Sequence, residues 1–434
     1  MHNLAIALKK DGHTISGSDD HIANPSKDRL AAQGLLPESE GWFEDRITND
    51  LDVVILGMHA RSDNPELARA QELDIPIYSY PEFLYEVSKN KSRVVVAGSH
   101  GKTTVTAMVL HVMNYVEMPI NFMVGAQLEG FDCMVELSNP SEFMLMEGDE
   151  YLSSPIDRRP KFHLYQPNIT VITGIAWDHI NVFPTFENYV EQFETYLMTV
   201  APGGALIYNE EDEVLKALVE RSPAKIKRFP YRTPDFEESE DGTLISTPEG
   251  ELPLQIFGAH NVSNVEAARW ICLEMGVQEI DFYDAISSFK GAQNRMEEWP
   301  TTSSLKVFRD FAHAPSKVKA TVKAVAHRFD KVRCVLELHT FSSLNPEFIP
   351  QYRGTMDGVA EAWVFYSPKA LEQKRMAPLS AAEVAAAFGG GVRVFDSAAS
   401  LQAALEEPAD LDALVLMSSG NFEGLPLKEL ISRY

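Results

Sequence analysis

The sequence predicts an α/β chain of three domains: two Rossmann-like domains flank a central one built around a phosphate loop. Three observations carry this prediction. An apolar, β-branched run from Val94 to Ala97 passes directly into Gly98-Ser99-His100-Gly101-Lys102-Thr103-Thr104, which reads as a buried strand turning into a helix. Short apolar runs alternate with helical patterns along the rest of the chain, as βα units do. The 434 residues, 45% of them hydrophobic, exceed one core and exclude disorder.

The loop at 98–104 has the makings of a phosphate site. Its glycines let backbone N–H groups approach phosphate oxygens, and the helix N-terminus adds partial positive charge. Lys102 adds a full charge, and Thr103 or Thr104 can ligate Mg²⁺. The spacing of Gly98 and Gly101, with Ala97 ahead, departs from the usual G-x-x-x-x-G-K-[ST] loop. A formal charge of −25 argues against nucleic acid or an anionic membrane as partner, yet leaves room for a local cationic pocket. Cys133, Cys272 and Cys334 are few, odd in number and widely spaced, which fits a reducing cytoplasm and neither a disulfide framework nor a zinc site. The first residues, MHNLAIALKKDGH, are too short an apolar run for a signal peptide or a membrane span.

Residues 1–12 read as an amphipathic helix ending at Gly12, followed by a strand at His13–Ser16 and the turn Gly17-Ser18-Asp19. Helix then strand is the second half of a βαβ unit. The expectation is therefore that a first strand and Gly-rich turn, roughly 15 residues, precede Met1. A helix over 25–33, a strand Asp52–Leu56, a helix after Asn64-Pro65-Glu66 and a strand Ile75–Tyr78 complete a first domain over 1–89. In the second, over 90–298, strands Glu142–Met146 and Asn168–Gly174 end where a doubly wound sheet places its ligands. They deliver Glu147-Gly148-Asp149-Glu150 and Trp177-Asp178-His179, carboxylates and an imidazole suited to a metal–triphosphate site. Residues 233–252, charged and turn-rich, read as an exposed hairpin without chemistry.

Gly258-Ala259-His260-Asn261-Val262-Ser263-Asn264 opens an apolar helix Val265–Met275. Asn261 and Asn264 lie on one face and suit an adenine edge, although capping the helix is the plainer role for such residues. The third domain, 299–434, follows Arg295-Met296-Glu297. Its strand Leu305–Arg309 delivers Asp310-Phe311-Ala312-His313-Ala314-Pro315, and further strands follow at Arg333–Leu338, Ala362–Tyr366, Val392–Phe395 and Ala413–Met417. The intervening helix Ala381–Phe388 stops at Gly389-Gly390-Gly391.

Taken together, GSHGKTT (98–104), EGDE (147–150), WDHINVF (177–183), GAHNVSN (258–264), the triplet at 295–297, DFAHAP (310–315) and SGSD (16–19) resemble the Mur ligase family over the whole chain. EGDEYLSSPIDRRPKFHLYQPN and the C-terminal VLMSSGNFEGLPLKEL resemble the family's murein-recycling peptide ligases, and the insertion around Tyr151–Lys161 points the same way. The resemblance implies a cytoplasmic ATP- and Mg²⁺-dependent amide ligase, monomeric or weakly dimeric, that acts on small molecules. It would join UDP-N-acetylmuramate to L-Ala-γ-D-Glu-meso-diaminopimelate through an acyl phosphate, and the alternative acceptor is L-alanine.

The resemblance also implies roles. Lys102, Glu147 and His179 are catalytic, with Thr103, Glu147 and His179 on metal. Gly98, Ser99, His100, Gly101, Lys102, Thr103, Thr104, His260, Asn261, Asn264, Arg295, Asp310 and His313 hold ATP, and Ser16, Gly17, Ser18, Asp19 and His59 hold the UDP-sugar. Where family members often carry an arginine loop for the acceptor carboxylate, this chain has His339-Thr340-Phe341-Ser342-Ser343-Leu344 and no Arg until Arg353. A plain P-loop ATPase leaves GAHNVSN and DFAHAP unexplained, NAD chemistry lacks a G-x-G-x-x-G, and a non-catalytic UDP-sugar sensor would not need Lys102, Glu147 and His179 together.

Overall fold

A computed structural model describes residues 1–432 except 59, 129, 240, 241, 249 and 293. It is mixed α/β and comprises two compact units. One holds Met1–Ile175, Val190–Arg232 and Ala267–Phe282; the other holds Ala176–Tyr189, Thr233–Glu266 and Tyr283–Tyr434. No helix among the described residues is long and apolar enough to cross a membrane.

The first unit carries two sheets. Strands β1 (Val54–Leu56) and β2 (Ile77–Ser79) pair in parallel. The helix Pro65–Glu72 between them starts at Asn64, whose side-chain oxygen accepts the N–H groups of Glu66 and Leu67, and it packs Ala70 against Ile47 and Ile75. The strand expected at His13–Ser16 does not form. A strand needs a neighbour to take its N–H and C=O groups, and among the described residues this sheet consists of β1 and β2.

The second sheet of this unit has seven strands: β3 (Ser92–Ala97), β4 (Asn121–Met123), β5 (Val135–Glu136), β6 (Phe143–Glu147), β7 (Ile169–Ile172), β8 (Ala205–Asn209) and β9 (Lys227–Tyr231). Their order is β5-β4-β6-β3-β7-β8-β9, with only the β4–β5 pair antiparallel. Val94, Val95 and Val96 are fully buried, which is why this strand reads as a continuous apolar run rather than an alternating one. From β3 the chain crosses to β4 on one side, and it later returns to β7 on the other. That reversal opens a crevice at the carboxyl ends of β3, β6 and β7.

In the second unit, β10 (Phe236–Ser239), β11 (Gly242–Thr247) and β12 (Gly250–Leu254) form an antiparallel meander, one strand more than the expected hairpin. The sequence reading missed its second turn, where Thr247 pairs with Gly250. A six-stranded sheet follows, made of β13 (Glu297–Trp299), β14 (Lys306–Asp310), β15 (Val332–Leu338), β16 (Glu361–Tyr366), β17 (Arg393–Phe395) and β18 (Ala413–Met417). The order is β13-β14-β18-β15-β16-β17, and every pairing except β13–β14 is parallel. Helices cover both faces: Val318, Val322 and Val325 pack on one and Leu401, Ala404 and Leu405 on the other. β13 straddles the predicted boundary at 298/299 because its partner is β14.

Candidate active site

Within the first unit the phosphate loop is shaped by two glycines. Gly98 sits at φ +119°, and a Cβ there would lie 2.2 Å from Thr173 Oγ1 and 2.8 Å from Thr173 N, so the residue that follows β7 leaves room for hydrogen only. Gly101, at φ +76°, caps the helix Lys102–Tyr115, and Ser99 N donates to Gly174 O at 3.0 Å. Loop and helix N-terminus together supply the N–H groups and partial charge a phosphate needs.

Carboxylates from the end of β6 fill the space around this loop. Lys102 Nζ donates to Glu150 Oε2 at 2.7 Å and to Gly98 O at 2.6 Å, with 14% of the Lys102 side chain and 1% of Glu150's exposed. Burial pulls the Lys102 ammonium pKa down, but Glu150 and then Asp149 outweigh burial and hold it above its ordinary value. Thr103 Oγ1 donates to Glu147 Oε1 at 2.7 Å, and Gly125 N donates to Glu147 Oε2 at 2.8 Å. Lys161 Nζ meets Asp149 Oδ2 at 2.5 Å. Burial raises the Asp149 carboxyl, but Lys161, by charge and hydrogen bond, together with Lys102 outweighs it and leaves the pKa lowered. Gly148 has no room for a side chain, since a Cβ would come 2.7 Å from Val95 Cγ1. A hydroxyl joined to a carboxylate is the hard-oxygen donor set that suits Mg²⁺, so Thr103 and Glu147 fit that ion. Ser99 and Thr104 are buried beside them, while His100 and Gly101 are half-buried.

The second unit holds the remaining residues that the sequence assigns to the nucleotide. His260, Asn261 and Asn264 lie in the first turns of the helix Ala259–Glu274, not in a loop ahead of it. Asn261 Nδ2 donates to Phe257 O at 2.8 Å, so half of that amide is used within the fold. Gly258 N donates to the Glu238 carboxylate of β10, which ties the meander to the start of this helix. Burial pushes the His260 imidazole pKa down, against the pull of Asp310 and Glu238. Asp310 ends β14 and accepts from Thr321 Oγ1 at 2.5 Å and from Phe311 N at 2.8 Å. The Arg295 guanidinium stacks 4.4 Å from the Phe311 ring centre.

His179 is in the same unit, at φ +56°. Asp178 Oδ1 accepts its N–H at 2.8 Å; Asp178 Oδ2 lies 3.3 Å from Lys317 Nζ and 4.0 Å from His313 Nε2. Burial raises the Asp178 carboxyl, but Lys317, then His179 and His313, outweigh it and hold the pKa well below the carboxylate range. His313 Nδ1 donates to Phe311 O at 2.8 Å, and Tyr352 OH donates to His313 O. Burial, then Lys317, pushes the His313 imidazole down to about 3, so it is neutral at pH 7.

In the first unit, Ser16, Gly17, Ser18 and Asp19 occupy the irregular stretch after the helix His2–Lys10. Ser18 Oγ accepts from Arg46 Nη1 at 2.8 Å, and Asp19 O accepts from Gly41 N at 2.8 Å. His59 lies outside the described residues. The sequence names Glu150 and Asp178 only as members of the strand-end clusters suited to a metal–triphosphate site, and it assigns no role to Lys161, Lys317, Thr321 or Arg46. For Glu150, Asp178 and Lys161 the quoted motifs were the available signal; Lys317, Thr321 and Arg46 belong to no pattern.

Residues 96–272 match the family model described as Mur ligase middle domain, and residues 1–92 match the one described as Mur ligase family, catalytic domain. The UDP-N-acetylmuramate–L-alanine ligase of Sulfurihydrogenibium sp. is 30% identical over 357 residues, 80% of this chain and 76% of that protein. The UDP-N-acetylmuramate–L-alanyl-γ-D-glutamyl-meso-2,6-diaminoheptandioate ligase of Escherichia coli is 27% identical over 451 aligned positions, 99% of this chain and 95% of that protein. Among solved structures, a murein peptide ligase from Psychrobacter arcticus shares the fold with a TM-score of 0.70 at 20% identity, covering 100% of this chain and 97% of that one.

Proposed function

From the premise that the chain belongs to the Mur ligase family of ATP-dependent amide ligases, we propose that it joins UDP-N-acetylmuramate to the peptide L-Ala-γ-D-Glu-meso-diaminopimelate in peptidoglycan recycling. Residues 1–89 take the UDP-sugar, 90–298 take ATP, and 299–434 complete the ligase. The observation that carries the acceptor choice is the loop Tyr151–Lys161. It closes through a bridge between Leu152 and Pro160 and a 3.0 Å bond from Ser153 N to Arg159 O, and it returns Lys161 to Asp149. This ordered insertion is the feature that resembles recycling ligases, and similarity to the E. coli ligase extends over nearly the whole chain.

In this reading the donor carboxylate attacks the γ-phosphorus of ATP, ADP leaves, and the acceptor amine then displaces phosphate from the acyl phosphate to form the amide. Like charges must meet, so the protein's task is positioning and neutralisation. Lys102 exchanges Glu150 for the β/γ-phosphates, and the N–H groups at 98–102 cradle them. Thr103, Glu147 and His179 would hold Mg²⁺, which would lower the charge of the phosphates and the substrate carboxylate. His260, Asn261 and Asn264 hold adenine, while Arg295, Asp310 and His313 serve phosphate and ribose. Ser16, Gly17, Ser18, Asp19 and His59 serve the UDP-sugar.

Phosphate release with ATP, Mg²⁺ and UDP-N-acetylmuramate tests this directly. Release with the tripeptide and none with L-alanine is the expected result. Release with L-alanine alone moves the chain to the biosynthetic step, a reading that the 30% identity to the L-alanine ligase favours.

A further inference from the structure

Of the proposed ligands, His179 holds the least comfortable backbone. Its φ of +56° is one that side-chain-bearing residues rarely adopt, so something must hold it there. The turn is closed from within: Val182 N and Phe183 N donate to His179 O at 2.8 and 2.9 Å, and Trp177 Nε1 donates to Phe183 O at 2.9 Å. What fixes the N–H side is Asp178 Oδ1. The other oxygen of that carboxylate turns to the helix Pro315–Arg328.

We infer that Lys317 is a positioning residue for His179, acting through Asp178, a role that rests on the reading of His179 as a metal ligand. His313 does not fill this role. At 4.0 Å its Nε2 makes no hydrogen bond to Asp178, and the ring is neutral at pH 7. Lys317, at 3.3 Å with 20% of its side chain exposed, is the cation that balances Asp178. The carboxylate is thereby pulled two ways, by a backbone N–H and by an ammonium, and its rotamer is set. A set rotamer holds the strained residue and hence the direction of its imidazole. Partners behind a ligand commonly do this, and losing one weakens metal binding about 10- to 100-fold. The rest of the turn is packed independently, with Trp177 edge-on to Phe348 and Ile180 against the core of this unit, so removing the Lys317 charge loosens His179 without dissolving the turn.

The test uses the full chain and two readouts: the Mg²⁺ dependence of ligation, and Mn²⁺ binding in the presence of ADP followed by electron paramagnetic resonance. Lys317→Met should weaken Mn²⁺ binding, and raise the Mg²⁺ needed for half-maximal rate, by about tenfold. The rate at saturating Mg²⁺ should stay near that of the parent, Lys317→Arg should restore binding, and no further shift should appear on a His179→Ala background. If Lys317→Met moves neither curve while His179→Ala moves both, the positioning role is wrong and His179 stands as a ligand. An undiminished Lys317→Met shift on the His179→Ala background also overturns it, because Lys317 then acts elsewhere. If His179→Ala moves neither curve, His179 is not a ligand and the inference falls with that reading.

Discussion

A lysine that serves only a phosphate site can ordinarily be truncated without loss of fold. The pairing of Lys102 with Glu150 changes that expectation. Truncating Lys102 removes the cation paired with a carboxylate of 1% exposure, and breaking a buried pair from one side costs about 3–5 kcal/mol. Lys102→Met should therefore lower unfolding stability by roughly 3 kcal/mol as well as abolish turnover. Lys102→Met with Glu150→Gln should recover most of the stability and none of the activity, read by chemical denaturation and phosphate release. A single variant as stable as the parent would mean that the surroundings of Glu150 compensate for the lost Lys102 charge. Arg295 presents the opposite case: its stacking on Phe311 is modest in stability, so Arg295→Ala should chiefly weaken ADP binding in calorimetry, by about tenfold.

At the scale of elements, the strand–loop–helix at 92–115 is the most constrained piece of the first unit. Gly98→Ala meets both a disallowed backbone angle and the Thr173 main chain, which cannot retreat without parting β3 from β7. A loss of about 3 kcal/mol or more is expected, with nucleotide binding abolished; thermal melts with and without ADP would show it. Retained ADP-induced stabilisation would show that the loop tolerates the shift. The strands that were predicted and do form lie within two residues of their expected limits, because apolar, β-branched runs have few other uses, whereas the buried β4 and β8 were not predicted. His13–Ser16 and the second turn of the meander were not legible. Whether an apolar run becomes a strand depends on a neighbour that sequence spacing does not reveal.

For the whole molecule, the buried histidines set the response to acid. His313 is held down to about 3, His2 down to about 4, and His163 and His260 are lowered by the same cause, burial. Below about pH 6.5 the unfolded chain binds protons that the folded chain refuses, so stability falls as pH drops and each loss ends at the folded pKa. For His313 alone the loss at pH 5 is about 2 kcal/mol. Asp178, with its pKa lowered, adds to the loss only below about pH 4. Melting temperature should thus fall between pH 7 and 5, and His313→Gln should flatten that slope whatever it does to the value at pH 7. A flat profile in the parent would mean that these rings protonate without unfolding.

The sequence by itself determined the α/β class, the phosphate loop, the acidic end of β6 and the family, because each is written in residues close together along the chain. A strand's period, a glycine before a lysine, and a carboxylate cluster are local, and local patterns survive reading in one dimension. Only the tertiary structure decided which charge meets which. Lys102 finds Glu150 across 48 residues and Asp178 finds Lys317 across 139. Such pairings are selected by shared burial and distance in the folded chain, and no spacing rule along the sequence encodes them.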